Sequence, residues 1–203
     1  GRLWRSTGVF CTYLASKAEE LVACRDVLEL GAGIGACGLA CARLGARSVC
    51  LTDMPEVCDL LRLNTELNKG RLRAPVFVAP CVWGRPLPGA VKPSTSTLVI
   101  LSDCVYNSES DALLVITLKE LLIGSECSSN GGGTGAMAVL AHDIPEPEAH
   151  PFFAALGSSG LSWETVAARV SSDASEGRKV VYVVCITPAT CIAASETALL
   201  QLD

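Results

Sequence analysis

The sequence predicts an α/β fold built on a doubly wound sheet of seven strands, mostly parallel, with an antiparallel strand at the C-terminal end. Short apolar runs alternate with helical patterns from residue 26 to about 158. This alternation is typical of a parallel sheet whose right-handed crossover helices cover both faces. No helical pattern separates the last two strands, at 161–170 and 179–186, so we expect them to pair as a hairpin. Together these observations describe a Rossmann-like core.

The N-terminal segment carries apolar residues at helical spacing, which predicts a helix over residues 6–23. Those residues are Val9, Phe10, Tyr13, Leu14 and Leu21. Ser6 or Thr7 is predicted to cap the start of this helix. The run DVLEL at 26–30 is apolar and ends in glycines, which predicts the first buried strand.

Strand and helix patterns then repeat along the chain. Further strands are predicted from apolar runs at 48–52, 75–79, 98–102 and 136–141. Helices are predicted at 35–44, 55–68, 108–123 and, as a short element, near 147–157. Gly45 lies where a glycine often ends a helix, and Pro55 suits a first helical turn. Residues 84–97 and the low-complexity stretch 124–135 are predicted loops.

One domain is expected for a chain of 203 residues without an internal repeat. It divides into an N-terminal helical segment (1–25), the Rossmann-like core (26–187) and a tail (188–203) that forms a helix or frays. Nothing in the sequence indicates oligomerisation, so a monomer is the default expectation.

Charge and hydropathy exclude some classes of partner. The net charge of −5 and pI near 5.1 argue against binding through phosphate neutralisation, so no nucleic-acid partner is predicted. No run of about 18 apolar residues exists, so no membrane span is predicted. The N-terminus lacks the pattern of a signal peptide.

The eleven cysteines are predicted to be core residues in a reducing compartment. Their number is odd, no pair has C-x-x-C spacing, and there are only two histidines, so no metal site is predicted. Many of them lie in apolar runs, as Cys37, Cys50 and Cys185 do. This usage predicts a cytoplasmic and/or nuclear protein.

The segment VLELGAGIGACG at 27–38 predicts a site for a nucleoside cofactor. Gly31 and Gly33 allow a tight turn and a close approach of the backbone to a ligand, and the following helix supplies free N–H groups. Gly38 would permit close packing of that helix on the sheet. Asp53 lies at the end of the second strand, about 20 residues after Gly33. A carboxylate at this position can accept hydrogen bonds from the two hydroxyls of a ribose.

Glu29 favours S-adenosylmethionine over a dinucleotide. Gly31, Gly33 and Ala36 also satisfy the dinucleotide pattern G-x-G-x-x-A. A pyrophosphate would gain nothing from a carboxylate two residues before the first glycine, whereas a sulfonium and an ammonium would. A dinucleotide oxidoreductase and a glycine turn without a ligand are the alternatives.

Four segments in register resemble the seven-β-strand protein-lysine methyltransferases often grouped as methyltransferase family sixteen. They are LWRSTGVFCTYLA (3–15), VLELGAGIGACG (27–38), CVWG (81–84) and LVILSDCVYNSE (98–109). The resemblance is good over 3–123 and weak beyond. It implies a class I methyltransferase fold, S-adenosylmethionine as the cofactor, and a lysine of a non-histone protein as the acceptor.

The resemblance also implies roles for individual residues. Trp4 would pack near the methionine end of the cofactor, Asp53 would bind the ribose hydroxyls, and Trp83 would flank the adenine. The full set of implied cofactor contacts is Trp4, Glu29, Gly31, Ala32, Gly33, Asp53, Met54, Trp83 and Ser102. Asn64 and Asn68 match family asparagines, but we expect them to cap or finish the second helix.

The resemblance also implies that Asp103 and Tyr106 are the candidate catalytic residues, because they match the family's D-x-x-Y motif after the fourth strand. There they would lie at the carboxyl edge of the sheet, where open α/β folds bind ligands. They would orient the acceptor amine and help it lose its proton. Asp103 could instead cap the helix after it, and Tyr106 could be a packing residue.

The stretch AHDIPEPEAH at 141–150 departs from the family pattern. Family members often carry Tyr, Glu or Arg residues there, whereas this chain has His142 and Asp143. The acceptor therefore stays open. Alternatives are a protein arginine or histidine, a small molecule, or a degenerate cofactor-binding partner protein without turnover.

Overall fold

The computed structural model describes residues 4–91, 94, 97–124, 136–173 and 177–189. Its centre is a seven-stranded sheet with the strand order β3-β2-β1-β4-β5-β7-β6. The strands are β1 (Asp26–Leu30), β2 (Ser48–Asp53), β3 (Val76–Pro80), β4 (Thr97–Ser102), β5 (Met137–His142), β6 (Leu161–Asp173) and β7 (Gly177–Pro188). The first five are parallel, and β7 runs antiparallel to both β5 and β6. The predicted fold class is confirmed.

Helices cover both faces of this sheet. They are α1 (Arg5–Ser16), α2 (Ala36–Arg43), α3 (Cys58–Asn68), α4 (Ser108–Leu122) and α5 (Pro151–Ser158). The first three pack over one hydrophobic cluster, and α4 and α5 pack over another. The central residues of strand β4 are all apolar because both faces of the strand are buried. Leu98 and Ile100 face one cluster, and Val99 and Leu101 face the other.

The N-terminal helix is shorter than predicted. The expected helix over 6–23 is wrong beyond Ser16, where α1 ends, and a π-helical turn follows at Ala18–Val22. Leu21 and Val22 are both buried in the cluster beneath α1. The wider turn changes the helical phase, and these two adjacent residues both reach the core. The spacing of apolar residues in the sequence does not predict this turn.

Helix starts and the C-terminal hairpin also differ from the sequence expectation. The predicted helices at 55–68 and 147–157 each begin with a separate 3-10 turn, at Pro55–Val57 and Pro147–Ala149. Strands β6 and β7 extend further than predicted, because pairing with each other satisfies their backbone groups where no apolar pattern marks a strand. The predicted loop at 84–97 holds a 3-10 turn, Gly89–Val91, and gives way to β4 at Thr97. The tail after residue 189 and most of the predicted loop at 124–135 lie outside the described residues.

The nine cysteines in the described part of the chain are free thiols. Cys37 and Cys185 are buried, as predicted, and Cys50 is half-buried. Within the described ranges no three His, Cys, Asp or Glu side chains form a group that could hold a metal ion. No helix among the described residues is long and apolar enough to cross a membrane.

Gly38 brings α2 close to the sheet, as the sequence predicts. A Cβ added there would lie 2.7 Å from the Glu29 carboxylate and would press on Leu51 and Val49. We expect Gly38→Ala to lower the free energy of unfolding by about 1–2 kcal/mol, because overpacking outweighs the better helix propensity of alanine. Urea unfolding followed by circular dichroism measures this change.

Gly8 is the matched control, since it lies within a helix and a Cβ there would meet nothing within 4 Å. Gly8→Ala should stabilise the protein by about 0.5–1 kcal/mol. Equal effects of the two substitutions would contradict the close packing at Gly38.

Candidate functional site

A cavity of about 690 Å³ opens at the carboxyl ends of the parallel strands. Strand order reverses between β1 and β4 at this edge, which is where open α/β sheets bind ligands. Every residue that the sequence nominates for the site lines this one cavity: Trp4, Glu29, Gly31, Ala32, Gly33, Asp53, Met54, Trp83, Ser102, Asp103 and Tyr106.

The turn after β1 forms the floor of the cavity. Gly31 and Gly33 have φ values of 60° and 57°, in the left-handed region that favours glycine. A Cβ on Gly31 would lie 2.8 Å from the Cys104 sulfur and 3.0 Å from the Trp83 ring. A Cβ on Gly33 would meet nothing within 4 Å, so this glycine borders open space. The first glycine therefore allows close packing, and the second exposes backbone to a ligand.

Neighbouring elements hold the turn in place. The Ala32 N–H donates to the carbonyl of Thr52 (2.9 Å) on β2. The Asn64 side-chain amide donates to the carbonyl of Ile34 (2.9 Å) from the middle of α3. The expectation that Asn64 caps or finishes its helix is therefore wrong. Asn68 does finish the helix, because its amide donates to the Asn64 carbonyl.

Asp53 spans the gap between β2 and the glycine turn. One carboxylate oxygen accepts the Gly33 N–H at 2.7 Å, and the other accepts the Met54 N–H at 2.7 Å. These bonds fix the carboxylate at the cavity wall and leave further lone pairs for hydroxyl donors. The Met54 side chain is 52% exposed and lies at the rim, so it can cover a planar group without losing its own core contacts.

Glu29 is a buried carboxyl in the same cavity, only 3% exposed. Its Oε2 accepts the Gly38 N–H at 2.8 Å. Burial raises the pKa of Glu29 to about 8, and the hydrogen bond from Gly38 opposes part of that rise. A cation bound nearby would favour the charged form, whereas a pyrophosphate would be repelled by it.

Two tryptophans supply aromatic surface to the cavity. Trp4 lies just before α1 and is mostly exposed. Trp83 lies in the loop after β3, half-buried against the cluster beneath α4, with its ring next to Gly31. Thr7 and Ser102 lie side by side in the wall, with their hydroxyl oxygens 3.4 Å apart. The carboxylates of Asp53 and Glu29, the two hydroxyls and the apolar walls together fit a nucleoside that carries a cationic tail.

Asp103 joins the N-terminal helix to the sheet edge. Its carboxylate accepts the Ser6 N–H (3.1 Å) and the Ser6 hydroxyl (2.6 Å), so it caps α1. The expected cap by Ser6 or Thr7 is therefore wrong, because the acceptor comes from a residue remote in sequence. Asp103 does not cap the next helix either, since Asn107 accepts the Ser110 N–H there (2.9 Å). Burial raises the pKa of Asp103 although the Ser6 bonds oppose this.

Tyr106 lies at the open rim with 67% of its surface exposed. This exposure contradicts the alternative that it is a packing residue. Its backbone is held in place by an N–H donated to the Asp111 carboxylate at 3.2 Å. Its ring can therefore meet a group that enters the cavity from solvent.

His142 and Asp143 also line the cavity, although the sequence only marked them as a departure. His142 is 1% exposed and lies between the rings of Phe153 and Tyr182. Its Nδ1 accepts the Ile144 N–H at 3.1 Å, so the neutral ring carries its proton on Nε2, which has no partner among the described residues. Burial lowers the pKa of His142 to about 4. Asp143 forms an ion pair with Lys179 (3.1 Å).

Several apolar cavity residues were not identified from the sequence. They are Cys37, Cys81, Val82, Cys104, Val105 and Leu113. Each lies within seven residues of a nominated position, but nothing in an apolar run distinguishes a cavity wall from a core. Only the packing of strands, turns and α4 brings these residues to the same cavity.

The sheet order, the glycine turn and the acidic, aromatic cavity define a class of protein, the seven-strand methyltransferases that use S-adenosylmethionine. A family model described as lysine methyltransferase matches residues 1–129, and the chain belongs to this family.

Known relatives agree with this assignment. A protein N-terminal and lysine N-methyltransferase of Yarrowia lipolytica is 34% identical over 142 residues, which cover 59% of this chain and 51% of that protein. The protein of the same description from Cryptococcus neoformans is 31% identical over 179 residues, covering 79% of this chain and 59% of that one. The chain thus spans roughly half of the curated relatives it matches. The glycopeptide N-methyltransferase MtfA has the same fold, with a TM-score of 0.63, 14% identity and 92% of each chain covered.

The Asp53 carboxylate is expected to contribute directly to cofactor affinity. We expect Asp53→Asn to weaken S-adenosylhomocysteine binding roughly tenfold or more, because a charge-assisted hydrogen bond contributes about 1.5–3 kcal/mol. Calorimetric titration measures the affinity, with NAD as the ligand control.

Asp59→Asn is the control variant, since Asp59 is exposed on α3 and pairs with Arg62, away from the cavity. It should leave the affinity unchanged. Full affinity in Asp53→Asn would contradict the assignment of Asp53 to the ribose hydroxyls. Preferential binding of NAD would contradict the assignment of S-adenosylmethionine as the cofactor.

Glu29 is expected to make S-adenosylmethionine binding depend on pH. With a pKa of about 8 the carboxyl is mostly protonated at neutral pH. A cationic ligand favours the charged form, so binding should release a proton and the affinity should rise up to about pH 8 and then level off. Because the folded chain holds this proton more tightly than an unfolded one, the Glu29 contribution to stability falls over the same rise in pH.

Titrations in buffers of different ionisation enthalpy measure the released proton. Glu29→Gln keeps an acceptor for the Gly38 N–H and removes the charge, so it should abolish the proton release. An unchanged proton release in this variant would assign the effect to another group.

Proposed function

We propose that this protein is an S-adenosylmethionine-dependent N-methyltransferase that methylates lysine side chains of a non-histone protein. The observation that carries the proposal is that the acidic, glycine and aromatic residues implied by the family all line one cavity beside Asp103 and Tyr106. The lysine methyltransferase match and the names of the relatives support it.

When bound, the cofactor supplies a methyl group on a sulfonium, which is already a good leaving group. The protein contributes alignment and exclusion of water, with reacting atoms brought to about 3–3.5 Å. The glycine turn and Asp53 fix one end of the cavity. The Ser6–Asp103 contact holds α1, and with it Trp4 and Thr7, against the other.

The acceptor amine must reach the cavity in its neutral form, because its lone pair attacks the methyl. His142 cannot take up the amine's proton while Nδ1 accepts the Ile144 N–H, since its Nε2 already carries a hydrogen. It can serve only as a hydrogen-bond donor. Tyr106 at the rim and the Asp103 carboxylate remain to orient the amine. The lysine ammonium therefore gives up its proton to solvent at the open rim, before the neutral amine enters the cavity and is oriented for attack.

The experiment that tests the proposal is incubation with methyl-labelled S-adenosylmethionine and a cell lysate. Label on protein, recovered after hydrolysis as methyl-lysine, supports it. Label on a protein α-amine, arginine or histidine would change the acceptor, and label only in small molecules would reject a protein substrate. Cofactor binding without turnover on any fraction would indicate a degenerate partner protein.

We also propose a cytoplasmic and/or nuclear location, a monomeric state, and no nucleic-acid partner. The free thiols support the location, and the acidic charge balance supports the absence of a nucleic-acid partner. The monomeric state is the default for a sequence without a signal for oligomerisation. Fractionation, light scattering and a filter-binding assay test them separately.

Tyr106→Phe is expected to lower kcat roughly tenfold, because a rim hydroxyl that orients the amine contributes about 1–1.5 kcal/mol to alignment. Cofactor affinity should not change, since the ring itself is retained. Methyl transfer to the identified substrate, measured under saturating cofactor, gives kcat. An unchanged kcat with a raised KM would instead assign Tyr106 to binding of the acceptor chain.

A further inference from the structure

Two thiols meet beside the cavity without any role in methyl transfer. Cys11 lies on α1 and Cys37 is the second residue of α2. Their sulfur atoms are 3.9 Å apart, and the Cys11 sulfur is also 3.9 Å from the carbonyl of Ala36. Cys37 lines the cavity, directly after the glycine turn. The pair therefore lies where two walls of the cavity meet.

We propose that Cys11 and Cys37 are a covalent modification site: an oxidant of the peroxide class joins them in a reversible disulfide that fixes α1 to α2. The bond itself depends only on the two thiols. Its effect on the cofactor rests on the proposed function of the cavity.

The geometry needs only a local adjustment. The two sulfurs must approach by about 2 Å to reach the usual S–S length of about 2.05 Å. The helices already pack together, since Phe10 and Leu14 on α1 share one hydrophobic cluster with Cys37 and Cys41 on α2. Rotation of the two cysteine side chains can then bring the sulfurs into bonding distance without separating the helices.

The two thiols differ in reactivity. Cys11 is half-buried, whereas Cys37 is buried. The hydrogen bond between the two thiols lowers the pKa of Cys11, and the same contact together with burial raises the pKa of Cys37. Cys11 is therefore the thiol that forms a thiolate and reaches a small oxidant first.

The oxidation balances with one hydrogen peroxide. The Cys11 thiolate attacks one peroxide oxygen, the O–O bond breaks, and the departing hydroxide becomes water, which leaves a sulfenic acid on Cys11. The Cys37 sulfur then attacks the Cys11 sulfur, and the S–O bond breaks. The hydroxyl leaves as water with the Cys37 proton. Two thiols are oxidised by two electrons, and peroxide is reduced to two waters.

The bond would restrain the cavity. Trp4 and Thr7 line it from the start of α1, which the Ser6–Asp103 contact holds at one point. A disulfide at Cys11 adds a second fixed point, about one and a half turns further along the helix. Motion of α1 away from α2 would then be blocked, so entry and exit of the cofactor should slow roughly tenfold, as expected when an opening motion limits exchange.

The site is tested first by peptide mapping of the full chain after treatment with hydrogen peroxide. Free thiols are blocked with N-ethylmaleimide before trypsin digestion. Cleavage after Arg5 and Lys17 gives a peptide, 6–17, whose only cysteine is Cys11, and cleavage after Arg25 and Arg43 gives 26–43. The second peptide holds both Cys37 and Cys41, so the Cys41→Ala variant assigns the partner without ambiguity.

We expect a cross-linked pair of peptides 6–17 and 26–43 in the wild type and in Cys41→Ala. It should be absent in Cys11→Ser and Cys37→Ser and reversed by dithiothreitol. The proposal would be overturned if the peroxide-treated wild type gave no cross-linked pair and Cys11 were recovered only as the N-ethylmaleimide adduct or as sulfinic acid. Loss of the cross-link in Cys41→Ala would overturn the assignment to Cys37.

The functional consequence is measured as the rate of S-adenosylhomocysteine dissociation in stopped flow. Peroxide treatment should slow it roughly tenfold in wild type and in Cys24→Ser, which removes an exposed thiol, but not in Cys11→Ser. An equal rate before and after mapped disulfide formation would overturn the restraint on the cavity. If the reduced protein does not bind S-adenosylhomocysteine, the proposed function is rejected. The peptide map still shows whether the disulfide forms, because it does not depend on cofactor binding.

Discussion

The turn after β1 is the feature on which the rest of the site depends. Four hydrogen bonds from β1, β2 and α3 hold this turn and the helix that follows it, through the carbonyl of Thr52, the carboxylates of Asp53 and Glu29, and the amide of Asn64. Thr52, Asp53 and Glu29 lie at the carboxyl ends of their strands. The same bonds that fix the backbone also orient the two carboxylates toward the cavity, so the geometry of the ligand site and the stability of the turn have a common origin.

Burial of Glu29 gives the cavity its chemical preference. A carboxyl with one hydrogen bond and almost no exposure is held largely uncharged, because its ionised form is poorly solvated. A cationic ligand supplies the missing counter-charge, and an anionic one cannot. This asymmetry separates a sulfonium cofactor from a dinucleotide on the same fold, in which the glycine turn alone serves both.

The N-terminal helix forms one wall of the site. It is attached to the sheet edge by the Ser6–Asp103 contact and touches α2 through Cys11 and Cys37. Asp103 is therefore first a structural acceptor at a helix N-terminus, where a carboxylate is favoured. Because both of its oxygens accept bonds from Ser6, any part it plays in orienting an amine also depends on the position of α1.

The strand and helix alternation, the glycine turn, Glu29 and Asp53 could be predicted from the sequence, because each depends on local spacing along one strand–turn–helix unit. The role of Asp103 and the hydrogen bond from Asn64 to the turn could not, because hydrogen bonds between distant elements leave no pattern in the sequence. The buried donor on His142 likewise depends on a turn that brings the Ile144 N–H to Nδ1. The contact between Cys11 and Cys37 arises from the packing of two helices. Residue spacing along the chain does not predict which side chains meet across such an interface.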